Sequence, residues 1–168
     1  MKYSIVVMGV AGCGKSTLAF AIAKAECAFL VEGDAYHSVQ SLEKMRCGVA
    51  LNDADRSGWL ESLAGQLTAR SSGVVLTCSA LRRTYRDRLR KASPGLRFVF
   101  MEIGRDDALG RVVSRAASHF FSSTLVDSQL ATLEPPVAEA GVLRVDATKT
   151  IPRLQTEVCA WLRAEEAP

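Results

Sequence analysis

The chain has 168 residues, 48% of them hydrophobic and 23% charged, a globular balance that excludes a disordered or fibrous polypeptide. Its net charge of +3 is too slight to argue for nucleic acid and suits an anion pocket equally well. At this length one domain is expected, and no apolar run approaches the roughly 18 residues of a membrane span.

Five short apolar runs read as strands: Tyr3–Met8, Ala28–Val31, Gly73–Cys78, Arg97–Ile103 and Val142–Val145. Most are apolar nearly throughout rather than alternating, as parallel strands covered on both faces require. Helical patterns lie between them, at Ser16–Glu26, Asp53–Arg70, Leu81–Lys91, Asp106–Ala116 and Arg153–Arg163. This alternation predicts an α/β fold, a doubly wound five-stranded parallel sheet flanked by helices, in one domain over residues 1–168. One lysine, Lys2, precedes the first run and the two could mimic a signal peptide, but glycines and Lys15 break the run, so it reads as a buried strand. The five cysteines, Cys13, Cys27, Cys47, Cys78 and Cys159, include no CxxC pair, which points to free thiols in a reducing cytoplasm.

The first strand runs into GVAGCGKST, where Gly9, Gly14, Lys15 and Ser16 match GxxxxGK[ST]. Glycines let the loop turn its N–H groups inward onto phosphate oxygens, and the following helix adds its positive dipole end. The whole stretch Gly9, Val10, Ala11, Gly12, Cys13, Gly14, Lys15, Ser16 and Thr17 is therefore a candidate nucleotide cradle. Lys15 is expected at the β- and γ-phosphates and the Ser16 hydroxyl on Mg²⁺; Cys13 reads as a small residue that fits. DRSG at Asp55–Gly58 matches DxxG only formally, since it starts a helix, and no NKxD follows, which argues against a GTPase. The third strand ends in VVLTCS without the acidic residue of a motor ATPase, leaving the layout of a small kinase.

The second strand ends FLVEGDAYH, so Asp34 is expected at the carboxyl edge of the sheet, facing the γ-phosphate. There it can orient or deprotonate an acceptor hydroxyl and bind magnesium through water, or cap the next helix. Glu32 reads as a strand-end charge and His37 as a helix-start residue. In CSALRRTYRDRLR, Ser79 and Ala80 reach the crevice and the Arg82–Arg83 pair suits an acidic acceptor. Arg86, Arg88 and Arg90 read as a solvated basic face. In GRVVSRAASHFFSS, Arg111 and Arg115 stand one turn apart and predict a lid over roughly 114–128 that carries arginines onto the phosphates, with Phe120 and Phe121 packing it shut.

The ordered set VVMGVAGCGKST, GDAYH, EKMRCGVALNDADRSGWL, CSALRRTYRDRLR, HFFSSTLVDSQLATLEPP and VDAT resembles the small P-loop gluconokinases, relatives of shikimate and adenylate kinases, from Ile5 to about Pro136. The resemblance implies ATP and Mg²⁺ as cofactors and D-gluconate as acceptor, with 6-phosphogluconate and ADP as products. It implies Lys15, Asp34, Arg111 and Arg115 as catalytic residues, Ser16 and Asp34 toward the metal, and Asp146 and Thr148, in DATKTIP, around the adenine. It places His37, Lys44, Arg56, Ser79, Arg82, His119 and Gln129 around the sugar acid. It suggests a homodimer, and no nucleic-acid or membrane partner. The chain departs from the family's usual motif at Ser38, Ser41 and Gly58, and three residues instead of two separate Arg115 from His119. Another small acceptor, such as shikimate or a nucleoside monophosphate, and nucleotide binding without turnover stay open on the residues alone.

Overall fold

In the computed structural model, the described residues are 3–70, 73–114 and 123–164. The strands are β1 (Ile5–Met8), β2 (Phe29–Glu32), β3 (Val74–Thr77), β4 (Arg97–Glu102) and β5 (Val142–Asp146). They form one parallel sheet in the order β2-β3-β1-β4-β5. Seven helices flank it among the described residues: α1 (Lys15–Ala25), α2 (Val39–Arg46), α3 (Asp53–Thr68), α4 (Arg83–Ala92), α5 (Arg105–Ser114), α6 (Ser123–Thr132) and α7 (Ile151–Ala164).

Each strand of the sheet's centre is buried on both faces, which is why its residues are uniformly apolar. Val6, Met8, Leu76 and Phe98 pack under α3 and α4 through Trp59, Leu63 and Leu89. On the other face Ile5, Val7, Val75 and Val99 meet Leu18 and Ile22 of α1 and Leu154 and Val158 of α7. All five predicted strands are present, with ends moved by one or two residues. DRSG does lie inside a helix: α3 opens with a capping box in which Asn52 and Asp55 satisfy each other's backbone N–H groups.

Two helices lie where no periodic pattern had been read. Helix α2 follows a 3₁₀ turn at Gly33–Tyr36 and is capped by Ser38, whose Oγ accepts from Ser41 N. Helix α6 occupies the far part of the predicted lid; Arg115, His119, Phe120 and Phe121 lie outside the described residues.

One expectation is overturned in α4. Arg86 is not on a solvated face but fully buried. Its guanidinium bonds both oxygens of Glu139 and donates to the carbonyls of Ala80 (2.9 Å) and Leu81 (3.2 Å). Position 86 shares the inner helix face with Tyr85 and Leu89, so a charge there had to find a partner inside. Arg90 joins Glu139 at 2.8 Å, and only Arg88 keeps to the surface, beside Ser57.

Candidate active site

The carboxyl ends of β1, β2 and β3 open into a crevice of about 170 Å³. Its floor is the loop between β1 and α1. Gly9, Gly12 and Gly14 hold φ of 142°, 82° and 96°, which a side chain would resist. Gly12 also has no room: a Cβ would lie 2.5 Å from the Ala108 carbonyl of α5. Gly14 caps α1 with no side-chain bond, so the helix's first amides face the crevice. Lys15 curls over the loop, its Nζ donating to Gly9 O at 3.1 Å and Val10 O at 3.0 Å. Cys13 is fully buried beneath Gly9, which explains why a small side chain stands there.

The second wall is pinned through Gly33. Its N–H donates to Thr77 Oγ1 at 3.0 Å, and its carbonyl accepts from Trp59 Nε1 at 2.7 Å. These bonds fix the turn that carries Asp34, whose side chain is 61% exposed and lines the crevice. Asp34 lies inside the 3₁₀ turn rather than capping it, and Ser38 caps α2. His37 ends that turn, stacked on Trp59 with ring centroids 4.3 Å apart and its Nε2 4.0 Å from Asp34 Oδ1. Burial lowers the His37 pKa against the pull of Asp34, with Arg56 adding to the lowering, so the ring is neutral near pH 7.

Glu32 carries more than a strand-end charge. Its Oε2 accepts from Ser16 Oγ at 3.0 Å and from Thr77 Oγ1 at 2.9 Å, tying α1, β2 and β3 together beside the phosphate loop. The strand-end rule that singled out Asp34 points to Glu32 equally, two residues earlier. A hydroxyl beside a carboxylate suits a hydrated Mg²⁺. Among the described residues no group of three or more His, Cys, Asp or Glu side chains could hold a metal ion.

Of the three basic candidates for an acidic acceptor, the structure brings one to the crevice. Arg56 is 6% exposed and lines it, with Nε and Nη2 both on the Leu51 carbonyl at 3.3 Å. Lys44 is bound to Asp55 at 2.6 Å, and Arg82 to Asp53 at 2.8 Å, lining a neighbouring hollow that Arg56 and Leu51 share with the crevice. Ser79 and Gln129 also line the crevice, between an apolar wall of Met45, Leu51 and Leu125 and the loop. Burial pushes the Cys78 thiol up to about 12, so it stays protonated and inert.

Arg111 does not line this crevice. It braces the loop, donating to Cys13 O (3.4 Å) and Ala147 O (2.9 Å). Ala147 belongs to the turn after β5, where Asp146 Oδ1 accepts from Thr148 N (2.9 Å) and Thr148 Oγ1 (2.7 Å). The arginine therefore links the phosphate loop to the DATKTIP segment. Arg115 and His119 lie outside the described residues.

A family model described as an AAA domain matches residues 5–136. A gluconokinase of Gluconobacter oxydans (strain 621H) is 39% identical over 166 residues, covering 96% of this chain and 92% of its own. A probable gluconokinase of Schizosaccharomyces pombe is 44% identical over 147 residues, 82% of this chain and 76% of that one. The crystal structure of a gluconokinase from Sinorhizobium meliloti 1021 superposes with a TM-score of 0.89 at 41% identity, covering 97% of this chain and 93% of the other. With a glycine cradle, a facing aspartate and this extent of identity, the chain belongs to the gluconokinase family of P-loop kinases.

Proposed function

We propose that this chain is an ATP-dependent gluconokinase, transferring the γ-phosphoryl group of Mg·ATP to the C6 hydroxyl of D-gluconate to give 6-phosphogluconate and ADP. The observation that carries this reading is the convergence of Lys15, Asp34 and Arg56 on one crevice. Where each described residue lies supports the remaining assignments. Asp34 aims the acceptor hydroxyl and takes its proton. Lys15 and the first amides of α1 bind the phosphoryl oxygens. Ser16 and Glu32 hold the hydrated Mg²⁺, which supplies neutralisation of phosphate charge. Arg56 grips the carboxylate, since Lys44 and Arg82 are already engaged by aspartates. Arg111, with the Asp146–Thr148 turn, flanks the adenine, and Arg115 and His119 belong to a lid over roughly 114–128 in a single kinase domain. The five free cysteines support a cytoplasmic setting.

A coupled ADP-release assay over a panel of sugar acids, shikimate and nucleoside monophosphates tests the reading. Gluconate is expected to give the highest kcat/KM. Turnover with gluconate no faster than with water alone would remove it as the acceptor.

A further inference from the structure

Helix α6 touches both sides of the crevice. At its start, Thr124 Oγ1 donates to Gly48 O at 3.3 Å, and Leu125 packs with Met45 and Leu51 on the acceptor wall. Further along, Val126 and Leu130 pack with Val10 and Ala11 of the phosphate loop. Within this second contact stands Gln129, whose Oε1 accepts from Ala11 N at 2.7 Å.

That bond has a fixed polarity. A backbone N–H can only donate, so the carbonyl end of the amide must face Ala11. The two N–H donors of Nε2 are the end left over, and Gln129 lines the same crevice as Lys15 and Asp34. Ala11 is 7% exposed, and the Gln129 carbonyl gives its amide a partner within the protein. With Ala11 engaged by a side chain, the loop's anion contacts fall to the amides that follow it.

We propose that Gln129 is a positioning residue of the phosphate loop. Its Oε1 latches Ala11 N–H, holding the loop at a fixed distance from a helix whose other end is seated on the acceptor wall. Donor and acceptor are thereby placed in one frame, and the resulting alignment belongs to the transfer step, where small misplacement costs rate. The kinetic half of this inference rests on the kinase reading above; the bond itself does not.

The test uses the full chain with Gln129→Met, which fills the same space without an acceptor, and Gln129→Glu, which keeps one. Hydrogen exchange of the Ala11 amide, followed by NMR in nucleotide-free protein, is expected to speed up about tenfold in Gln129→Met and to stay near wild type in Gln129→Glu. Unchanged exchange in Gln129→Met would overturn the latch. In steady-state kinetics Gln129→Met is expected to lose about tenfold in kcat with KM for gluconate altered less than about twofold. A raised KM for gluconate with kcat intact would put Gln129 in the acceptor pocket alone and overturn the positioning role. A wild-type chain inactive on gluconate would end the kinase reading, while the exchange result would still decide the latch.

Discussion

Gly33 has no space for a side chain: a Cβ there would fall 2.0 Å from the Thr77 carbonyl. That close approach lets β2 and β3 finish together and sets Asp34 in the crevice that Lys15 also lines, with His37 held by Trp59. Asp34→Asn keeps the shape and removes the proton acceptor. It should lower kcat by about 10²-fold or more, while nucleotide affinity by calorimetry stays within about twofold. Unchanged turnover would take Asp34 out of the chemistry. The cradle was legible because its parts are contiguous, and Asp34 because strand ends line the crevice. The choice among basic residues was not. Lys44, Arg56 and Arg82 look alike in sequence, and what separates them is a pair of aspartates, Asp55 and Asp53, whose pairing depends on how α2, α3 and α4 pack.

At the scale of elements, the same blindness explains α4. The stretch LRRTYRDRLRK reads as a basic surface, yet Arg86 is closed in by Glu139, 53 residues downstream. Glu134 completes the arrangement: its carboxylate accepts from Arg83 N at 2.7 Å, and its own N–H donates to Leu81 O. Residues 134–139 thus strap the turn that carries Ser79, in which Ala80 sits at a φ of 45°. Breaking such a buried pair from one side should cost about 3–5 kcal/mol, so Arg86→Met should lower the melting temperature by roughly 6–20 °C. Replacing both partners, as Arg86→Met with Glu139→Leu, should recover most of the loss. A double variant no more stable than the single one would show that the guanidinium's bonds to Ala80 and Leu81, not the ion pair, hold the turn. Helices α2 and α6 were missed for a related reason: Val39 on the first is exposed, and the second spends its apolar residues on a small cluster rather than a long stripe.

Over the whole molecule, among the described residues, His37 and Glu139 are buried titrating groups that contribute to the response to acid. The folded His37 has a pKa below its ordinary 6.5, so folding favours the neutral ring. Its contribution is complete above about pH 6.5 and shrinks as pH falls below that value, because the unfolded chain then binds the extra proton. Burial drives the Glu139 carboxyl up, but bonds and charge from Arg86 and Arg90 outweigh it and hold the pKa below 4.5. Its contribution is present above that value and is lost as pH falls further. Denaturant midpoints should therefore be flat near pH 7–8, decline on acidification below about 6.5, and decline again below about 4.5. A His37→Phe variant should lose the first decline and keep the second; a first decline that persists would assign it to other groups.

The strand order has a consequence for synthesis on the ribosome. The phosphate-binding motif emerges before the strands that support it, since β1, which launches it, is the middle strand of the sheet and is flanked by residues 74–77 and 97–102. The amide at Ala11 then waits for a side chain 118 positions later. Translation thus delivers the nucleotide loop well before the side chain that completes it. A nascent chain halted before α6 carries the whole motif but lacks the side chain that accepts from Ala11 N.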